Sequence, residues 1–112
     1  MSKFGLYSDK SAIPFENHLE GLEEKTKTSL LNLRNFVKSL GNNVIEEVRP
    51  HRIVYAKSLT FRTFLDIQPK KDSLTISLRK SRNESTTNHT VKTIEEIENV
   101  KAQIAEAYEK IK

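Results

Sequence analysis

The side chains of this chain that could take part in catalysis are few, and their spacing does not form a site. His18, His51 and His89 are the only histidines, and no two of them have the helical or hairpin spacing that would bring them to one metal ion. The chain has no cysteine, which excludes a thiolate metal site, a cysteine nucleophile and a disulfide. Three glycines are too few for a phosphate-binding glycine-rich loop. We therefore predict no catalytic residue, no metal site and no cofactor, and we expect that the protein is not an enzyme.

The acidic residues also have structural explanations. Glu46 and Glu47 are adjacent in a predicted strand, so their carboxylates point to opposite faces and cannot act as a pair on one substrate. Asp66 is the one acidic residue expected on the basic surface described below. A second acid at a suitable distance is missing, so we expect Asp66 to form a salt bridge with Arg62 or Arg79.

Positive charge is concentrated in the middle of the chain. Residues 48–92 contain ten basic and three acidic residues, a net charge of +7, whereas the rest of the 112 residues carry −3. A concentrated basic surface attracts anions, and nucleic acid is the commonest large candidate. The N-terminus lacks the apolar stretch of a signal peptide, and no window approaches the ~18 apolar residues of a membrane span. We expect a cytoplasmic protein that does not bind a membrane.

The first predicted helix covers residues 22–40. Apolar residues recur there every three or four positions, which predicts an amphipathic helix. Asn17 and Glu20 have the spacing of a capping box in front of it, but Gly21 weakens a continuous helix at that point. Gly41 follows the last apolar residue, where a left-handed residue often ends a helix.

The composition then becomes typical of β-strands. Apolar and polar residues alternate within residues 61–67 and 74–78, and the turn-forming residues 69–72 separate these segments. Two segments of strand character precede them and a short edge strand follows: residues 44–48, 53–56 and 90–92. Such alternation is typical of an antiparallel sheet with one buried and one solvated face.

The predicted fold is therefore α+β, a two-layer sandwich. Thr93 and Glu96 form a capping box in front of a second helix, which runs to the C-terminus. Each helix has a single apolar face, so we expect both to pack on one face of an antiparallel sheet of three to five strands. We predict an irregular N-terminal arm at residues 1–16 and a single domain at residues 17–112.

The sheet face opposite the helices would carry part of the positive charge. If the apolar residues of 74–78 point towards the helices, Arg79 points away from them, and the same alternation places Arg62 and Phe64 on the open face. Arg52 joins them if the preceding strand keeps its apolar residues inside. Arginines around an exposed aromatic ring are what single-stranded nucleic-acid binders use, and basic residues in the adjoining turns could contact phosphates. The predicted nucleic-acid-binding residues are Arg52, Arg62, Phe64, Lys70, Lys71, Arg79, Lys80 and Arg82.

Two other interpretations of this surface stay open. Basic residues are common on exposed strands, where they discourage aggregation, and Phe64 could be covered by the N-terminal arm. The first hypothesis is a non-enzymatic accessory or nucleic-acid-binding domain whose partner is DNA or RNA. The alternative is a protein-interaction or dimerisation module that binds a protein partner or a second copy through the open sheet or its edge.

Several stretches occur in the order found in a known family. They are His18 with Leu19, residues 33–41 (LRNFVKSLG), 53–57 (IVYAK), 64–71 (FLDIQPKK) and 94–97 (IEEI). On these stretches the chain resembles the domain of unknown function 5655 family. Members often stand at the C-terminal end of larger proteins with a predicted nuclease-like region, and some are labelled "predicted transport protein". The resemblance implies an accessory domain linked to nucleic acid, with no catalytic residue to carry over.

The sequence departs from that family in two respects. No nuclease-like region precedes the domain, so we expect a stand-alone version. Family members usually have a longer loop with a Gly-His-Trp-Gly-like stretch before the last strand, whereas residues 85–90 (STTNHT) contain neither Trp nor Gly. A function of that loop in the family is therefore not expected here.

Overall fold

The fold is seen in a computed structural model that describes residues 13–58, 62–80 and 86–111. Its elements in chain order are a 3₁₀ helix (Phe15–Leu19), helix α1 (Glu24–Lys38), strands β1 (Val44–Val48), β2 (Ile53–Lys57), β3 (Arg62–Lys70), β4 (Ser73–Leu78) and β5 (Thr87–Val91), and helix α2 (Ile94–Lys110). Successive strands pair antiparallel, so the sheet order is β1-β2-β3-β4-β5. Neighbouring strands follow one another closely in the sequence, which favours such a meander because antiparallel strands need no long crossover connection.

One face of the sheet is buried under both helices. The residues that β2, β3 and β4 direct to this face are at most 2% exposed: Ile53, Tyr55, Leu65, Ile67, Leu74, Ile76 and Leu78. Helix α1 adds Leu30, Leu33 and Val37 to the same cluster, and helix α2 adds Ile97 and Ile104. Apolar area removed from water stabilises such a core by about 25 cal/mol per Å². The predicted α+β sandwich, with two helices on one face of an antiparallel sheet, is confirmed.

The chain in front of α1 differs from the prediction. Asn17 lies inside the 3₁₀ helix, where its backbone N–H donates to the Pro14 carbonyl at 3.0 Å, so it does not cap a long helix. Gly21 has a φ of +82°, a left-handed conformation that interrupts the helical path, and α1 begins only at Glu24. Phe15 is 4% exposed and belongs to the core. The predicted arm therefore ends in a docked residue, and residues 1–12 lie outside the described part.

The capping box that the sequence predicts at the start of α2 is confirmed. The Thr93 side chain accepts a hydrogen bond from the Glu96 N–H at 3.2 Å, and the Glu96 carboxylate accepts from the Thr93 N–H at 3.1 Å. This reciprocal capping box satisfies donors that would otherwise lack partners at the helix end. The capping box fixes the first turn of α2. The C-terminal end of the same helix borders the candidate site described below.

A half-buried ion pair connects α1 to the sheet. Arg34 donates two hydrogen bonds to the Glu46 carboxylate, at 2.8 and 2.9 Å, and the Tyr55 hydroxyl donates a third at 2.7 Å. The Arg34 guanidinium also lies 4.0 Å from the centroid of the Phe15 ring, which holds the 3₁₀ helix in place. Burial opposes ionisation of Glu46, but these hydrogen bonds outweigh it and lower the pKa of the carboxyl group. Burial and the bond to Glu46 raise the pKa of the Tyr55 hydroxyl.

We expect Glu46→Gln to destabilise the protein in a pH-dependent way. The lowered pKa means that ionised Glu46 contributes stability above its ordinary value of 4.5, and this contribution is lost as pH falls through the folded-state pKa. Glu46→Gln should lower the unfolding free energy at neutral pH by about 3 kcal/mol, because Arg34 loses its charged partner. In urea titrations, the difference in unfolding free energy between Glu46→Gln and the native protein should be smaller near pH 3 than at neutral pH.

The neighbouring Glu47 provides the control. Its side chain is 58% exposed and pairs with the equally exposed Arg49, so Glu47→Gln should change stability by less than about 1 kcal/mol at either pH. An unfolding free-energy gap for Glu46→Gln that is the same at pH 3 and pH 7 would contradict the assignment.

Candidate functional site

A β-bulge in β3 decides which residues reach each face of the sheet. Tyr55 pairs with Leu65, but the next residue of β2, Ala56, pairs with Thr63, so Phe64 is one residue more than the pairing needs. Two residues of β3 therefore oppose one position of β2, and the alternation reverses on the N-terminal side of the bulge. Phe64 and Leu65 are both fully buried, although they are adjacent in the strand.

The prediction that Phe64 is an exposed aromatic platform is wrong. Its ring packs edge-on against Tyr108 of α2, with ring centroids 5.4 Å apart and planes at 71°. The alternative is a ring covered by the N-terminal arm; the contact that the structure shows comes instead from the C-terminal helix, and residues 1–12 of the arm lie outside the described part. Because the bulge directs Phe64 to the helices, it is a core residue and cannot stack on a base from the open face.

The prediction that Arg62 lies on the open face is also wrong, for the same reason. Arg62 pairs with Lys57, whose ammonium donates to the Ile111 carbonyl at 3.2 Å and lies 4.6 Å from the Tyr108 ring centroid. Lys57 is thus on the helix side, and directly paired residues share a face. Thr63, which the alternation placed inside, is exposed and pairs with Ala56 instead.

A groove of about 700 Å³ runs past this bulge. Its lining residues are Arg52, Arg62, Thr63, Phe64, Leu65, Asp66, Ser77, Arg79, Thr86 and Ile111. Three of the four arginines predicted from the sequence therefore come together, even though Arg62 reaches the groove from the helix side. Formally, the lining residues that the structure describes carry three positive charges and one negative charge.

Arg52 forms a salt bridge in the groove with Asp66, the acidic residue that the sequence predicts on this surface. Its guanidinium donates to the Asp66 carboxylate at 2.8 Å, and the two side chains are 43% and 23% exposed. Arg52 rather than Arg62 or Arg79 is thus the salt-bridge partner that the structure identifies. Asp66 pairs with Ser77 of β4, which places both on the open face opposite the core residues. Fixing one arginine in this way prepares its remaining N–H groups for an anion.

The other predicted basic residues are not part of the groove. Lys70 and Lys71 are exposed at the β3–β4 hairpin, the opposite end of the strands from Arg79. Lys80 forms a 3.0 Å ion pair with Glu106 of α2, and its hydrogen bond lowers the pKa of that carboxyl group. Arg82 lies outside the described residues.

Three hydroxyl-bearing residues of the groove were absent from the predicted site. Ser77 was expected to face out and does so, donating to Asn88 of β5 at 2.7 Å. Strict alternation places Thr63 on the buried face, whereas in the structure it is exposed. The adjacent apolar residues Phe64 and Leu65 are the sequence signal of the bulge that reverses the alternation. No sequence pattern marks Thr86 as a groove residue.

The histidines do not assemble into a site within the described ranges. The ring Nε2 of His18 lies 2.6 Å from the Arg49 carbonyl oxygen, an interaction that ties the 3₁₀ helix to the β1–β2 hairpin. No group of three or more histidine, aspartate or glutamate side chains is close enough there to hold a metal ion. Neither described helix has the length and apolar character required to cross a bilayer.

These features define a class of small α+β protein, in which a five-stranded meander is covered by helices on one face and carries an arginine-lined groove. Comparison with family models, with curated proteins and with solved structures finds no match to this chain. The resemblance to the domain of unknown function 5655 family stays a prediction.

Gly41 lets the Tyr108 hydroxyl approach the loop after α1, because glycine has no side chain. A Cβ atom at this position would overlap the Tyr108 hydroxyl, which hydrogen-bonds to Asn43 Oδ1. The prediction that Gly41 is left-handed is wrong, since Gly21 is the described glycine with a positive φ. The close approach of α2 to the loop after α1 is therefore what requires glycine here.

Gly41→Ala should lower the free energy of unfolding by about 1–3 kcal/mol through this overlap. Tyr108→Phe removes the hydroxyl and should cost about 1 kcal/mol by itself. Because the hydroxyl is the first atom that the new methyl group meets, the double variant should be less destabilised than the two single effects summed. Urea denaturation of the native protein and the three variants measures this coupling, and strictly additive free energies would contradict the contact.

Proposed function

We propose that the protein is a non-enzymatic nucleic-acid-binding domain that contacts the phosphate backbone through its basic groove and the adjoining open sheet face. The observation that supports this proposal is the convergence of Arg52, Arg62 and Arg79 on one groove. Arginine suits phosphate because its planar fork donates two parallel hydrogen bonds.

Because Phe64 is buried, contacts with the phosphate backbone of a nucleic acid are favoured over stacking on its bases. Binders that stack bases present exposed aromatic rings, whereas Phe64, the one aromatic side chain among the described lining residues, is fully buried. Phosphate contacts position a protein on a nucleic acid without reading its sequence. We therefore expect little sequence preference and a steep decrease of affinity with salt.

Lys70 and Lys71 could extend the contact along β3. Lys70 lies four positions after Asp66, or about 13 Å along an extended strand. Phosphates of one strand in a duplex are about 3.4 Å apart along the helix axis, so this path spans about four of them. The resemblance to an accessory-domain family agrees with such a role, and we place this function in the cytoplasm as part of the proposal.

Charge changes in the groove provide the test. Fluorescence anisotropy with single-stranded and duplex oligonucleotides should show binding that weakens by orders of magnitude between about 50 and 200 mM salt. Arg62→Glu and Arg79→Glu should each weaken binding and reduce the salt slope by about one.

Lys25→Glu is the matched control, since Lys25 is exposed on α1, far along the chain from the groove residues. It changes the net charge as much as Arg79→Glu does and should leave affinity nearly unchanged. Equal losses for both variants would mean that only the overall charge matters. Absence of binding at micromolar protein and low salt would refute the proposal.

A second candidate function is dimerisation through β5. Within the described residues this strand pairs only with β4, and its five side chains (Thr, Asn, His, Thr, Val) carry no lysine, arginine or acid. Edge strands are commonly protected from pairing by charge or proline. An uncharged edge favours a second copy of the same strand, because twofold pairing brings no like charges together.

Light scattering after size exclusion, at micromolar and at millimolar protein, tests this candidate. A dimer should form with the native chain and be lost in Thr90→Lys, which places a charge on the edge. Asn35→Lys, an exposed substitution of equal charge on α1, should leave the dimer intact. A monomer at both concentrations would exclude dimerisation by this edge.

A further inference from the structure

One buried apolar residue lies outside the hydrophobic core. Among the described residues, Val54 is the one buried apolar side chain that does not belong to the core cluster, and it is 5% exposed. Its neighbours in β2, Ile53 and Tyr55, point to the helices, so Val54 points to the opposite face of the sheet. Its pairing with Asp66, which lies on the open face, agrees with this orientation. An apolar side chain is therefore shielded from water on the face that neither described helix covers.

Val54 is the centre of a small apolar patch on the open side of β1 and β2. Ile45 pairs with Ala56, and Glu47 pairs with Val54, so these four side chains share this face. Ile45 and Ala56 are half-buried. The polar neighbour Glu47 extends into solvent, with 58% of its side chain exposed. We call Ile45, Val54 and Ala56 the Val54 patch; an apolar cover on it is stabilising because it removes apolar area from water.

The described chain begins beside the same edge of the sheet. The Phe15 ring packs against the Arg34 guanidinium at 4.0 Å, and Arg34 is bonded to Glu46 of the edge strand β1. Pro14 is extended, with φ −60° and ψ 138°. A residue that precedes proline is also restricted to extended conformations. The chain in front of Phe15 therefore leaves the neighbourhood of β1 in an extended conformation.

The residues that precede it have the length and the apolar pattern to cover the patch. From Phe15 back to Leu6 there are nine positions, or about 30 Å of extended chain. The path round β1 to Val54 crosses one strand spacing of about 4.8 Å and one layer of about 10 Å, which is well within that length. Phe4 and Leu6 are alternate residues, so they share one side of an extended chain, and Tyr7 points to the other side.

We propose that residues 1–12 dock on the Val54 patch, with the side chains of Phe4 and Leu6 against Val54. The occupant of this part of the open face is thus a segment of the same chain. The docking goes beyond the proposed function and does not depend on it. One consequence does rest on the proposed function: Arg52 lies two positions before Val54 on the same face, so the docked segment restricts the access of a nucleic acid to Arg52.

Disulfide trapping tests the docking, because the chain contains no cysteine of its own. Ser8→Cys with Glu47→Cys places one thiol on the segment and one beside the patch. The pair can form a disulfide only if the two Cα atoms approach within about 7 Å, so mild oxidation should convert most of the protein to an intramolecular disulfide. Ser8→Cys with Thr90→Cys is the matched control and should stay reduced. Thr90 is exposed on β5, three strands away from β2.

Variants of the segment show which side chains make the contact. Phe4→Ser combined with Leu6→Ser should abolish trapping at position 47, because their apolar side chains supply the contact. Tyr7→Ser should leave trapping unchanged, because Tyr7 points to the other side of an extended segment. Absence of trapping at Glu47, equal trapping at Glu47 and Thr90, or trapping that survives the loss of both Phe4 and Leu6 would each overturn the proposal. A disulfide between two chains would also overturn it, since the occupant would then be a second copy.

The same variants test the consequence for nucleic acid. Phe4→Ser with Leu6→Ser should tighten oligonucleotide binding in anisotropy titrations by at least about fivefold, the lower end of coupling between two sites. Tyr7→Ser should leave the affinity unchanged. Equal affinity of all three proteins would overturn the restriction of Arg52, while trapping would still support the docking. Absence of oligonucleotide binding in every variant would refute the proposed function, and the trapping result would stand by itself.

Discussion

Phe64 is one residue more than β3 needs to pair with β2, and its ring is held on the helix side of the sheet by Tyr108. This bulge has two consequences. It reverses the alternation of the residues before it, so that Thr63 faces out and Arg62 shares a face with Lys57. It also bends the strand at the place where the groove lies, because a bulge increases local twist. Without the extra residue, regular alternation would place Arg62 on the same face of the sheet as Arg79.

The contacts around Tyr108 explain why the bulge is stable. Its ring packs on Phe64, its hydroxyl bonds to Asn43, and Lys57 lies over its face. One side chain thus connects α2 to β3, to β2 and to the loop after α1. Gly41 completes this arrangement, because any larger residue would occupy the position of the hydroxyl. A rigid support of this kind is what a binding site needs, since side chains that move before binding lose affinity when they are ordered.

Sequence patterns were sufficient for most of the architecture. Alternation and helical periodicity identified the core faces of β4, α1 and α2, and the capping box at Thr93 was located to the residue. The errors occurred where a local choice depended on contacts distant in sequence. Gly21 rather than Asn17 determined where α1 could begin, and strict alternation failed at Phe64 because Tyr108 offers that ring a buried place. The candidate site was predicted in part, as Arg52 and Arg79 follow from alternation, whereas Thr86 and Ile111 reach the groove from other segments.

The amino-acid sequence by itself determined the uneven charge, with +7 in residues 48–92 against −3 elsewhere, and the α+β order of elements. Both are local properties, set by composition and by the period of apolar residues. Only the tertiary structure decided which basic residues lie close together. Lys80 is paired with Glu106, Arg52 with Asp66, and Lys70 lies at the far hairpin, while three arginines from different strand ends share one groove. The physical reason is that register and ion pairing depend on segments distant in the chain, and one extra residue in a strand is enough to move a side chain to the other face.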